Sequence, residues 1–147
     1  MATIRQLADR FRALDFATLV QTSMQQTSFE ITALNKTQLY NYGVGSDGIK
    51  LTTYKSKYYA KEKSYDNPRP GFGIPDLFVT GAFYNGIGVV INKKTFITDS
   101  TDVKASRLEL LYGSHIYGLT AQNKTIYATQ TLLPVLLKNL KDATING

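Results

Sequence analysis

Few side chains in this sequence are equipped to make or break bonds. His115 is the only histidine and there is no cysteine, which excludes thiolate nucleophiles, disulfides and thiolate metal sites. A serine hydrolase needs a nucleophile, a histidine base and an orienting carboxylate together, and no recognisable motif places a serine or carboxylate for His115. No second histidine or paired-carboxylate spacing accompanies it, so no metal is expected. The three glutamates, Glu30, Glu62 and Glu109, form no pair spaced for acid–base work. These residues predict a protein that is not an enzyme and holds no cofactor, in which His115 makes a loop hydrogen bond or sits at an interface.

One motif matches a binding fingerprint by its letters. Gly43-Val44-Gly45-Ser46-Asp47-Gly48 fits Gly-x-Gly-x-x-Gly. That pattern cradles a pyrophosphate only when it follows a buried strand and opens a helix. Here a helical pattern precedes it and an irregular lysine-rich stretch follows, so a turn of Ser-Asp-Gly type accounts for the glycines.

The remaining candidates are cations. Net charge is +6, and the excess gathers in Lys50, Lys55, Lys57, Lys61, Lys63 and Arg69, opposed only by Glu62 and Asp66. Interleaved Tyr54, Tyr58, Tyr59 and Tyr65 give a basic, aromatic segment of the kind that contacts phosphate. The alternative is a solvated loop whose lysines keep the chain soluble or meet acidic neighbours. The six cations are therefore candidate contacts to DNA in a lumen or to adjacent subunits. The chain has ten Tyr, seven Phe and no Trp; Tyr suits half-wet, half-packed surfaces as well as cores.

The elements that position these groups follow from periodicity. At 147 residues the chain reads as a single domain, 1–147. Ile4, Leu7, Ala8, Phe11 and Leu14 recur at helical spacing, and Ile31, Leu34, Leu39 and Tyr42 form a second apolar face ending at Gly43, so helices are expected over about 3–42. Thr27-Ser28-Phe29-Glu30 has the form of a capping box. From 43 to 75 breakers cluster and periodicity fails, predicting a long irregular loop, a kind of segment that is usually functional or ordered in an assembly. A hairpin is expected over about 83–98 with its turn at Asn92-Lys93-Lys94. Val103 to Leu111 reads as a short helix, 112–118 as a loop, and a C-terminal helix capped by Thr120 runs over about 120–140, kinked or restarted at Pro134. The predicted class is α+β: N-terminal helices and a C-terminal helix packed on a small antiparallel sheet, with a long irregular loop. No stretch has the length of a bilayer span or the form of a signal peptide, so the Asn-x-Thr sites at Asn35 and Asn123 are read as chance matches.

Leu39-Tyr40-Asn41-Tyr42-Gly43 through Gly48-Ile49-Lys50-Leu51 resembles a pattern in structural proteins of phages that infect Bacteroidetes. So do Thr80-Gly81-Ala82-Phe83-Tyr84-Asn85, Tyr112-Gly113, Gly118-Leu119-Thr120 and Leu133-Pro134-Val135-Leu136-Leu137, in the same order. The stretch 39–140 is similar, more distantly, to neck and tail-completion proteins, including ring proteins of crAss-like phages. It departs at 65–75, where relatives carry a polar Lys/Gly-rich stretch. The resemblance implies a virion protein made in the host cytoplasm: a ring-forming subunit of the head–tail connector or tail-completion assembly. Its implied partners are further copies of itself, neighbouring portal, connector or tail proteins, and genomic DNA touched without specificity in the lumen, with no membrane. The other reading is a small basic DNA-binding accessory protein.

Overall fold

The structure, a computed structural model, describes residues 1–146. Three helices open the chain: α1 (Ile4–Arg12), α2 (Phe16–Gln26) and α3 (Ser28–Thr37). The first is closed by a reciprocal cap, with the Gln6 amide donating to Thr3 Oγ1 over 3.2 Å and the Thr3 amide to Gln6 Oε1 over 2.8 Å. Asp15 caps α2 through the Thr18 amide at 3.3 Å; hydrogen bonds from Thr18 hold its carboxyl below the usual carboxylate range.

The box expected at Thr27 does not form. Thr27 precedes α3 but makes no side-chain cap, because its hydroxyl bonds the Ser23 carbonyl at 2.8 Å and the Tyr127 hydroxyl at 2.7 Å.

α3 widens into a π turn, Gln38–Tyr42, which ends at Gly43 with φ +59°. A Cβ at Gly43 would press on the Ile74 side chain and lie 2.8 Å from the Pro75 carbonyl oxygen. Only glycine satisfies both the left-handed backbone and that close approach.

The stretch 43–75 is not one irregular loop. It contains α4 (Lys57–Asp66), whose first turn is capped by Ser56 Oγ accepting from the Tyr59 amide at 3.2 Å. Around α4 the chain is irregular but tied: Leu51 donates to the Gly43 carbonyl at 2.8 Å and Tyr54 to that of Gly73 at 2.9 Å.

A short helical turn α5 (Ala82–Gly86) leads into β1 (Ile87–Asn92), which pairs antiparallel with β2 (Thr95–Ser100) in the register Val90 opposite Ile97. The hairpin therefore starts later than residue 83, its first residues being helical. Burial alternates along both strands, so Ile87, Val89, Ile91, Phe96 and Thr98 face inward while Val90 and Ile97 face out.

α6 (Ala105–Tyr112) and a 3-10 turn (Ser114–Ile116) follow, then α7 (Ala121–Ile126), a second π turn (Tyr127–Leu132) and α8 (Leu133–Thr144). Thr120 caps α7 by accepting from the Asn123 amide at 3.2 Å. Pro134 lies in the first turn of α8, just past the π turn. Proline there lacks its amide donor and crowds the preceding turn, and a locally wider helix accommodates both.

The α+β class holds: helices pack around one two-stranded antiparallel sheet. Leu39, Leu51, Phe83, Tyr84, Ile87 and Ile116 form one buried cluster. Ile31, Leu119 and Tyr127 form another, where Phe96 stands edge-on to Tyr127 at 6.3 Å. α8 packs on α1 and α2, fastened by Arg10 to the Thr144 carbonyl at 2.7 Å and by Asn139 to Ser23 Oγ at 2.9 Å.

Candidate functional site

The six candidate cations divide according to what their side chains meet. Lys50 Nζ donates to the Pro70 carbonyl at 2.6 Å and that of Tyr42 at 3.3 Å, so it ties the π turn to the far end of the 43–75 stretch. Arg69 donates to Asn41 Oδ1 at 3.0 Å and stacks its guanidinium over the Tyr40 ring at 5.7 Å. Lys63 is an internal group, its Nζ 3.0 Å from Asp76 Oδ1 and also donating to the Phe78 carbonyl. Its side chain is 13% exposed and that of Asp76 is 2%, so Lys63 leaves the set of contact residues.

Asp76 is the reason. It accepts from Asn67 Nδ2 at 2.9 Å and from the Phe78 amide at 3.0 Å, in addition to Lys63. Its backbone carbonyl takes the Tyr84 hydroxyl, and Asn67 also donates to the Tyr40 carbonyl at 2.8 Å. A buried carboxylate is tolerated only with a cation and hydrogen bonds to its lone pairs, and Lys63 on α4 supplies the cation. One cluster thus docks α4, the π turn and the 76–84 segment together.

Lys55, Lys57 and Lys61 remain exposed, with no side-chain partner among the described residues. Lys57 and Lys61 stand one turn apart on the outer side of α4, beside exposed Tyr58 and Tyr65. Behind them Tyr59 meets Tyr54 edge-on at 4.9 Å. Burial first, then the Asp76 carboxylate, pushes the Tyr54 and Tyr84 phenols far above the ordinary tyrosine range, so both favour the neutral form, and the Tyr84 hydroxyl donates to the Asp76 carbonyl. What the segment presents outward is a short stripe of exposed cations and aromatic faces, suited to diffuse contact with phosphate or carboxylate surfaces.

His115 is half-buried between two glycines. A Cβ on Gly113 would lie 2.7 Å from His115 Nδ1, and one on Gly45 would strike the ring and lie 2.8 Å from the His115 carbonyl oxygen. Ser46 donates to that carbonyl at 2.7 Å. The fingerprint-like glycines are thereby explained: Gly43 ends a helix, Gly45 admits His115, and Gly48 (φ +77°) closes a turn in which Ile49 donates to Asp47 Oδ1 at 3.0 Å. No helix begins there. Among the described residues no group of three His, Cys, Asp or Glu side chains is placed to hold a metal, and no helix is long and apolar enough to cross a membrane.

Two residues outside the candidate cations, Asn35 and Gln38, prove central. Asn35 is buried on α3 and pairs with the backbone of the distant 116–118 segment, its Nδ2 donating to the Ile116 carbonyl at 3.1 Å and its Oδ1 accepting from Gly118 at 3.0 Å. Gln38 does the same next door, donating to the Gly118 carbonyl at 3.2 Å and accepting from Thr120 at 2.9 Å and Asn123 Nδ2 at 3.1 Å. The signal was present in the sequence: amides set among Ile31, Leu34 and Leu39 on an inward helix face need partners. Both Asn-x-Thr asparagines thus belong to this network.

No family model, curated protein or solved structure matches the chain.

Proposed function

We propose that this chain is a non-enzymatic structural subunit that works by assembly, as a ring-forming component of the head–tail connector or tail-completion assembly of a tailed phage. The observation that carries the assembly part is the apolar surface that α1 leaves open beside its contact with α8, where Leu7 and Ala8 are half-buried. Ile4 is 86% exposed and Phe11 45%, and no residue of α1 is buried, although the helix repeats apolar residues at helical spacing. Ile4 and Phe11, left open by the chain's own fold, mark a surface for another protein. The phage setting comes from the resemblance across 39–140. In this reading the occupants of the surface are neighbouring copies and portal, connector or tail proteins, and the protein resides in the virion.

Sedimentation over a range of protein concentrations, with electron microscopy of the heaviest species, tests it. Closed rings are expected for the native chain and monomers for Ile4→Asp/Phe11→Asp, whose folding is checked by circular dichroism. A native chain that stays monomeric at all concentrations and is missing from purified particles would overturn the proposal.

A second reading, a small DNA-binding accessory protein, is favoured by Lys55, Lys57 and Lys61 standing free beside Tyr58 and Tyr65. Each neutralised phosphate contributes a slope of roughly −0.9 to log K against log salt, so three lysines predict roughly −3. Binding with that slope by the isolated chain, lost in Lys57→Glu/Lys61→Glu, favours the second reading over the first.

A further inference from the structure

The hairpin is the whole sheet, so each strand has an outer edge. Thr101 donates to the Gly86 carbonyl at 3.0 Å just beyond the strands, and this fixes the phase of the ladder. Antiparallel pairs exchange hydrogen bonds at every second position. The pairs Gly88–Asp99, Val90–Ile97 and Asn92–Thr95 are therefore the bonded ones, and the amides and carbonyls of Phe96 and Thr98 point away from β1. α2 and α3 pack beside β1. Beside β2 there is instead a cleft of about 710 Å³, lined by residues 94–99 on one side and by Tyr117, Gly118 and Leu119 on the other.

Three features mark this cleft as built for a chain. The far wall is the segment that Asn35 and Gln38 hold by its backbone, so the chain's own hydrogen bonds place that wall. Thr98 is only 6% exposed and lines the cleft, yet its Oγ1 has no hydrogen-bond partner among the described residues. The Tyr117 hydroxyl, near the Ser100 amide but outside bonding geometry, is unpartnered as well. Buried hydroxyls are rarely left so. Lastly, the ends differ in charge: Lys94 precedes β2, and Asp99 near its end is joined by Glu109, both acting on the Tyr117 phenol.

We propose that the β2 edge is a strand-acceptor site, which takes an extended segment of a different polypeptide running antiparallel to β2, with a basic residue at the Asp99 end and an acidic one at the Lys94 end. Main-chain bonds to Phe96 and Thr98 supply affinity, as in strand addition generally, and a hydroxyl opposite Thr98 satisfies its Oγ1. A second copy of β2 fits less well. Pairing through the Phe96 and Thr98 edges joins even-numbered residues to even-numbered ones, so Lys94 of one copy never faces Asp99 of the other. The proposal uses a surface separate from α1 and α4 and stands whether or not the chain forms rings.

The probe is the synthetic peptide acetyl-Lys-Thr-Val-Ile-Thr-Glu-amide, with its first residue opposite Asp99 and its last opposite Lys94. A control peptide is N-methylated at the second and fourth residues, whose amides would face β2. At saturating peptide, amide exchange at Phe96 and Thr98 of the full chain is expected to slow by at least about tenfold, and the methylated control should leave it unchanged. Thr98→Val should raise the melting temperature of the free protein and weaken peptide binding roughly three- to tenfold. Equal protection by the methylated peptide, or none by the parent peptide at millimolar concentration, overturns the site. Protection that grows with protein concentration alone assigns the edge to a second copy and overturns the foreign strand.

Discussion

Lys63 Nζ lies 3.0 Å from Asp76 Oδ1, with 13% and 2% of the two side chains exposed, and this pair joins α4 to the body of the protein. It converts a stretch rich in helix breakers into a docked element. Removing one member leaves the other charge buried without its counter-ion, which costs about 3–5 kcal/mol. Lys63→Met is therefore expected to lower unfolding stability by that amount in urea titrations. Lys57→Met, on the exposed side of the same helix, should change stability by less than about 0.5 kcal/mol. Equal effects from the two would show that the pair is not what holds α4.

The same clamp sets the order of the 43–75 stretch. Amides within α4 are expected to exchange slowly in the isolated native chain and quickly in Lys63→Met, as measured by hydrogen exchange with mass spectrometry. Fast exchange in the native chain would return this stretch to the order-on-assembly behaviour that its composition suggests.

Buried phenols predict a loss of stability in alkali. Burial, followed by the carboxylates of Asp99 and Glu109, pushes Tyr117 up to about 12. Burial also raises Tyr112 and Tyr127. A folded-state value above the unfolded one, near 10, means the contribution is fully present below pH 10 and is lost as pH rises through the folded value. Denaturant midpoints should be level from neutral pH to about 10 and fall between there and about 12, and ultraviolet titration should find a late-ionising class of tyrosines. Tyr117→Phe should reduce that fall.

The glycines of the fingerprint-like stretch should separate by mechanism. Gly45→Ala forces a Cβ against His115, whose carbonyl oxygen would lie 2.8 Å away, and overpacking of this kind costs about 1–3 kcal/mol. Gly48→Ala meets open space but keeps φ at +77°, which costs about 1–2 kcal/mol from backbone alone. Gly48→Asn, better tolerated in that region, should recover part of its loss while Gly45→Asn recovers nothing.

Asn35→Leu should cost more than its added apolar volume suggests. It strands the Ile116 carbonyl and the Gly118 amide, each bonded to Asn35 at 3.1 and 3.0 Å, at about 1–3 kcal/mol per buried group left unpaired. Thermal melts check the loss, and faster exchange at Gly118 locates it.

The sequence by itself determined the local elements. Helical periodicity over residues 4–42, the stop at Gly43, the cap at Thr120 and the hairpin turn after Asn92 are all legible, because each depends on residues within about four positions of one another. It also determined the scarcity of catalytic side chains. Three things were decided only by tertiary structure. Thr27 has the spacing of a capping box, but its hydroxyl goes to Tyr127, 100 positions away, since burial made that bond available. Lys57-Tyr58-Tyr59-Ala60-Lys61-Glu62-Lys63-Ser64-Tyr65-Asp66 shows no apolar stripe; its inward side is the small Ala60 and Lys63, a lysine that becomes meaningful only opposite Asp76. The six cations looked alike in the sequence, yet the fold turned Lys63 inward, tied Lys50 and Arg69 to backbone and side-chain oxygens, and left Lys55, Lys57 and Lys61 to solvent. A charge is written in one residue; its direction is set by which distant group most needs a partner once water has been excluded.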